Sequence, residues 1–283
     1  MSRLSLNTAT CKHLSLAECV TVAVDAGLEA IGPWRDRVEE VGADQAARII
    51  ADAGLRVSTL CRGGFITPRE PASIADAIAD NRRAIEEAAI LGTHELVMVV
   101  GGLPASFPFS DQADKDLVAA RHRVAERIAD LVPYAREHGV RLALEPMHPL
   151  FTADRGVLTT LAQSLDIASA FAPDQVGVVV DTYHVWWDPA LQSSIARAGA
   201  ESRISSYQIC DWILPLAAEP LNSRGMMGDG YIDFPAITGW VSQAGYTGDI
   251  EVEIFNETIW DQPGAVTVGQ MAQRYARLVE PYL

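Results

Sequence analysis

In the stretch Arg141-Leu-Ala-Leu-Glu145-Pro-Met-His148-Pro149, an alternating apolar run carries a carboxylate to its end. Two prolines then halt the strand and fix an imidazole three residues further on. An acid inside an apolar strand must be paired, hydrogen-bonded or bound to a cation, because burying it alone costs several kcal/mol or neutralises it. Three later runs end in the same way: Val176-Gly-Val-Val-Val-Asp181, Ile204-Ser-Ser-Tyr-Gln208 and Asp249-Ile-Glu-Val-Glu253. Any one of Glu145, Asp181, Gln208 and Glu253 alone reads as a hydrogen-bonded structural residue. Four oxygen donors ending four successive strands suit one divalent cation. Such a set favours Mn²⁺, then Mg²⁺, with Co²⁺ or Zn²⁺ compatible, over a thiolate-loving metal.

Further candidates flank these strand ends. His184 in Asp181-Thr-Tyr-His184-Val-Trp-Trp187 could donate to a substrate hydroxyl, or be a structural histidine under the tryptophans. Arg224-Gly-Met-Met-Gly228-Asp-Gly230 reads as a flexible turn whose guanidinium grips a substrate oxygen, the alternative being an exposed loop arginine. Trp34, Trp186, Trp187, Trp212 and Trp260 follow strands, as does Phe65, and should crowd one mouth. Of these, Trp187 and Trp212 are candidates for stacking on a sugar or a planar aglycone; the alternative is a packed rim between subunits of an oligomer.

Helices that end in glycine and run straight into apolar strands recur at Gly27, Gly54, Gly92, Gly139 and Gly245. Strands are expected near 4–8, 28–32, 57–61, 95–100, 141–145, 176–181, 204–209 and 249–254. Helices are expected near 15–19, 41–53, 72–91, 114–138, 157–171, 189–199, 234–244 and 266–280. The first opens on Ser15-Leu-Ala-Glu18, the form of a capping box. Eight alternations predict an α/β fold, a single (β/α)8 TIM barrel over residues 1–283, rather than an open doubly wound sheet. The first strand is not followed by G-x-G-x-x-G. An insertion near 212–231 follows the seventh strand, on the side of a barrel where active sites form.

Composition sets limits. The 283 residues are 49% hydrophobic and 21% charged, without an apolar run of membrane-spanning length or a leader-like N-terminus, which predicts a cytoplasmic protein. Thirty-seven acids against 22 bases give a net charge of -15, which argues against nucleic acid as a partner. That excess and the acidic loop Phe255-Asn-Glu-Thr-Ile-Trp-Asp-Gln-Pro-Gly264 predict a neutral sugar or glycoside rather than a sugar phosphate. Cys11, Cys19, Cys61 and Cys210 lack C-x-x-C spacing and are expected to be reduced.

The strand-end acids, His184, the Arg224–Gly230 loop and the phrase Ile250-Glu-Val-Glu253-Ile-Phe resemble the xylose-isomerase-like barrel superfamily of sugar isomerases and epimerases. Many members carry histidine where Gln208 stands; related dehydratases can use an amide there. The Glu145-Pro-Met-His148-Pro motif is also similar to the large subunit of the C-glycoside deglycosidases. That narrower likeness implies a histidine base near the first ligand and a small β-rich partner subunit. The leading expectation is therefore a lyase: His148 removes a proton beside a carbonyl of a 3-oxo glycoside, and the aglycone is β-eliminated; the alternative for His148 is that it caps the strand or hydrogen-bonds Glu145. The alternative is a ketose isomerase or 3-epimerase, with Glu145 and Glu253 working on opposite faces, or an inosose- or dehydroshikimate-type dehydratase. A third reading is a non-catalytic sugar-binding barrel.

Overall fold

A computed structural model describes residues 3–103 and 114–283; Met1 and Ser2, part of the N-terminal reading above, lie outside the described residues. The first half of the chain runs β1 (Leu4–Asn7), α1 (Leu16–Asp25), β2 (Ala30–Gly32), α2 (Arg35–Glu39), α3 (Ala43–Asp52), β3 (Arg56–Val57), β4 (Leu60–Gly64), α4 (Pro71–Leu91), β5 (Glu95–Val99) and α5 (Leu117–Glu137). The second continues β6 (Arg141–Leu144), α6 (Leu161–Ala168), β7 (Val176–Asp181), α7 (Thr182–Val185), α8 (Leu191–Ala200), β8 (Ile204–Ile209), β9 (Asp211–Trp212), β10 (Arg224–Gly225), α9 (Phe234–Gln243), β11 (Ile250–Val252), α10 (Glu257–Trp260) and α11 (Gly264–Leu278).

Nine strands form one parallel sheet in the order β3-β2-β1-β11-β8-β7-β6-β5-β4. It is nearly closed: Trp34 bridges Cys61, whose N–H donates to the Pro33 carbonyl at 3.1 Å. The architecture is a single-domain TIM barrel, as the alternation predicts. Nine strands stand for eight staves because the third is broken. Its first part pairs with β2 and its second with β5. Between them Ser58 and Thr59 both aim their hydroxyls at Glu251, at 2.6 and 2.8 Å. Two consecutive side chains turned the same way cannot keep the two-residue alternation of a strand.

Local chemistry explains the boundaries. Ser15 and Glu18 form the capping box, and all five joint glycines adopt φ between 69° and 83°, a left-handed backbone that lets a helix turn into the next strand. Along α5, Ala120, Val124, Ile128, Leu131 and Ala135 are buried, one face at helical spacing, whose aliphatic members contribute roughly 1.5–3 kcal/mol each. Inside the barrel, Cys61, Val97, Ala143 and Val179 form a small apolar layer. The short helices α2, α7 and α10 were not expected; each lies in the segment that follows the carboxyl end of a strand. All four cysteines are free and buried. Among the described residues no helix is long and apolar enough to cross a membrane.

Candidate active site

The strands deliver acids to one end of the barrel. β6 and β11 stop one residue before Glu145 and Glu253, and β7 ends on Asp181. Asp181 also caps α7: its Oδ1 accepts the Tyr183 N–H at 2.8 Å, and the resulting turn carries His184 back over the strand end. Ligand atoms of Glu145, Asp181 and His184 lie within 4.8 Å of one another, all three residues buried.

Arg224 joins this group. Its Nη1 donates to Asp181 Oδ2 at 2.9 Å and lies 3.0 Å from Glu253 Oε2, and its guanidinium sits over the Tyr183 ring. The flexible turn expected around Arg224 is corrected: the residue is 2% exposed, and β10 pairs antiparallel with β9. The reason is Asp211, whose carboxylate accepts four backbone N–H groups. Trp212 and Ile232 donate to Oδ1 at 2.9 and 3.0 Å, and Gly228 and Gly230 to Oδ2 at 2.9 and 2.8 Å. Asn256 adds a hydrogen bond to the Arg224 carbonyl at 2.8 Å. Asp211 was missed because one acid beside a loop carries no periodic signal.

Gln208 is level with Asp181 on one side and with Glu251 on the other. Its Nε2 donates to Glu251 Oε2 at 3.2 Å, whereas its buried Oε1 has no hydrogen-bond partner. Glu251 also takes Asn7, Ser58 and Thr59 as donors. A satisfied carboxylate thus sits beneath the strand-end acids. Glu251 was legible in principle: two residues before Glu253, it must face the same side of the strand.

The two histidines differ in what their nitrogens do. His184 Nδ1 accepts the His148 backbone N–H at 3.1 Å, and its Nε2 lies 3.0 Å from Arg224 Nη2. Burial and then the Arg224 charge push the His184 pKa well down, so the ring is neutral with one acceptor nitrogen. One of those two approaches therefore brings donor against donor. His148 caps the turn Pro149–Phe151, its Nδ1 accepting the Leu150 N–H at 3.2 Å. That fixes the neutral ring's proton on Nε2. With Nδ1 taken up by the turn, the base role that the lyase expectation gives His148 requires this hydrogen bond to give way.

The aromatics divide into two groups. Trp212 lies 4.5 Å from the His148 ring and 4.8 Å from Tyr183, with Trp186 at 5.8 Å. Trp187 donates its indole N–H to the His184 carbonyl at 2.8 Å, which ties it to that same wall. Across the mouth, Trp34 stands edge-on to Phe255 and donates its indole N–H to Glu253 Oε1 at 2.9 Å. Phe255 in turn meets Trp260.

Electrostatically, the acids are crowded. Burial raises Glu145 well above the carboxylate range, with Asp181 and Glu253 adding like charge. Burial also raises Asp181, against the opposing pull of Arg224. Glu253 is pushed up to about 7, by burial and by Asp181, with Arg224 opposing. Three buried carboxylates, a neutral imidazole and an unpartnered amide oxygen fit a divalent cation in donor chemistry and in charge.

These features define a TIM barrel with a candidate metal site among the acids at its carboxyl-end mouth. The chain belongs to the xylose isomerase-like TIM barrel family, whose model matches residues 20–276. It is 27% identical to an L-ribulose 3-epimerase of Mesorhizobium japonicum over 222 residues, 76% of this chain and 67% of that protein. A crystal structure of a protein from Sinorhizobium meliloti 1021 superposes with a TM-score of 0.92 at 44% identity, covering 98% of both chains. The fold also matches that of the IOLI protein with a bound zinc atom, TM-score 0.82 at 20% identity, over 100% of this chain and 99% of that one.

Proposed function

We propose that this chain is a divalent-metal-dependent epimerase or isomerase of a keto-sugar, with Glu145 and Glu253 as its acid–base pair. The observation that carries the reading is the convergence of both acids on one cluster: Arg224 lies 3.0 Å from Glu253 Oε2 and 2.9 Å from Asp181 Oδ2, and ligand atoms of Glu145, Asp181 and His184 lie within 4.8 Å of one another. The likeness to an L-ribulose 3-epimerase supports it.

Glu145, Asp181 and His184, with Glu253 and the free Gln208 Oε1, would hold the ion; manganese is favoured by the oxygen donors, and zinc gains from the imidazole. Such an ion supplies Lewis acidity, drawing electron density from a substrate carbonyl and making the neighbouring C–H acidic. Glu253, with a proton affinity near ambient pH, accepts that proton from one face of the sugar. Glu145, in its protonated form, returns one to the opposite face, which inverts the carbon. Arg224 holds Glu253 and Asp181 in position, while Trp187 and Trp212 wall the mouth beside His148 and His184.

The test is turnover of a keto-sugar panel in deuterated water by metal-loaded protein, with products followed by NMR. Epimerisation returns a sugar labelled at the inverted carbon, and Glu253→Gln abolishes the labelling. Release of a leaving group with an unsaturated keto-sugar, lost in His148→Ala, would instead restore the elimination reading.

A further inference from the structure

A second feature of the mouth follows from one irregularity in β4. Cys61 is level with Val97 and Gly63 with Met98, so Arg62 is an extra residue between two successive pairs. Cys61 packs in the barrel interior with Val97, Ala143 and Val179, whereas a Cβ on Gly63 would strike Asn81 and Met98. Arg62 fits neither face, and the bulge turns its side chain to the mouth. There the guanidinium stacks 4.2 Å from the Phe65 ring centroid and 6.0 Å from that of Trp34.

Arg62 lines a cavity of ≈ 340 Å³ with Thr8, Lys12, Trp34 and Phe255. The cavity opens beside the proposed acid–base pair, because Trp34 hydrogen-bonds Glu253. Two other cations on its wall are neutralised: Arg35 by Glu87 and Asp80, and Arg37 by Asp36 and Glu40. Lys12 and Arg62 are not. Lys12 Nζ sits 5.0 Å from the Trp260 ring centroid and 5.7 Å from that of Phe255, and no carboxylate pairs with either cation among the described residues. Burial and then the Arg155 charge lower the Arg62 pKa, with the Glu145 charge opposing them. Stacking occupies only the face of a guanidinium. Its in-plane N–H groups have no hydrogen-bond partner among the described residues and suit a planar or tetrahedral anion.

We infer that Lys12 and Arg62 form an anion subsite beside Glu253, and that the sugar turned over at this mouth carries a carboxylate or phosphate remote from its reacting carbon. This rests on the proposed epimerase reading for the placement of the sugar, and it replaces the neutral substrate expected from net charge. Focused local cations outweigh a diffuse acidic field inside a cleft.

Metal-loaded wild type, Arg62→Gln, Arg62→Lys and Lys12→Gln are compared on three matched substrates: a neutral 2-ketohexose, its terminal carboxylate and its terminal phosphate. Each ligand's binding is also measured by calorimetry. One acidic form should exceed the neutral sugar in kcat/KM by about 10- to 100-fold, and which form does so identifies the anion. Arg62→Gln should erase most of that ratio, Lys12→Gln part of it, and Arg62→Lys should retain most of it. A structural role for Arg62 predicts equal losses on all three substrates, and that result would overturn the subsite, as would wild-type preference for the neutral sugar. If no substrate is epimerised yet an acidic ligand binds with Arg62-dependent affinity, the subsite stands and the epimerase reading falls.

Discussion

Replacing Asp211 with Asn changes one oxygen to an amide nitrogen and little else in shape. In the native structure each carboxylate oxygen accepts two backbone N–H groups, Trp212 and Ile232 on one and Gly228 and Gly230 on the other. Whichever way the amide sits, two of the four donors lose their acceptor and face an N–H instead. A buried donor left unsatisfied costs about 1–3 kcal/mol; the Gly228 and Gly230 bonds are only part-buried, so with the amide nitrogen turned toward them the loop from Met226 to Ile232 should lose roughly 2 kcal/mol of local stability. That corresponds to a factor of about 30 in opening. The assay is amide hydrogen exchange read by mass spectrometry. Peptides spanning 226–232 should exchange about 30-fold faster, while those of β6 and β7 stay protected. Because β10 leads into this loop, keto-sugar turnover should fall with it through loss of the Arg224 position. Unchanged exchange at 226–232 would refute the anchoring role of Asp211.

Three other outcomes are expected. His148→Asn should keep turnover within about tenfold of wild type, since asparagine can also cap the turn; a loss beyond about 10²-fold, the range for removing a general base, would contradict the assigned tautomer. Burial lowers the His148 pKa to about 4, so between about 6.5 and 4 the unfolded chain binds the extra proton; stability should fall as pH drops through that window, and denaturant titrations of His148→Asn should show a flatter profile. Burial raises Cys11 to about 11 and Cys19 to about 12, so iodoacetamide at pH 8 should label neither until the protein is denatured; rapid labelling of the native protein, read by peptide mass, would contradict this.

The barrel was legible in the sequence because its signals are local and repeated. A glycine that must take a left-handed backbone sits between each helix and strand at five joints, and the apolar runs ending in Glu145, Asp181 and Glu253 state where each strand stops. What the sequence could not state was the broken third stave. The hydroxyls of Ser58 and Thr59 turn inward for Glu251, a residue nearly two hundred positions away, and no local pattern encodes that demand. The same holds for Arg224. As a residue in a glycine-rich turn it reads as mobile; it is buried because Asp211 gathers the turn and because Asp181 and Glu253 give its charge a partner.

Charge is where composition misleads most. A net charge of -15 counts acids wherever they lie, yet recognition at a mouth depends on which charges are left unpaired there. Many of the acids answer arginines, as Glu87 and Asp80 answer Arg35 and Asp249 answers Arg56. At the strand ends, burial first and then the neighbouring acids raise the proton affinity of Glu145 and Glu253, with Arg224 opposing. The aromatic ring of Trp34 stands between that acidic centre and Arg62, and Arg62 and Lys12 line the same opening without an ion-pair partner among the described residues. An anionic sugar bridging the two regions would meet a proton-exchanging end and a cationic end. Its orientation in the mouth, and so the carbon presented to Glu253, would be fixed by charge before any hydroxyl is read.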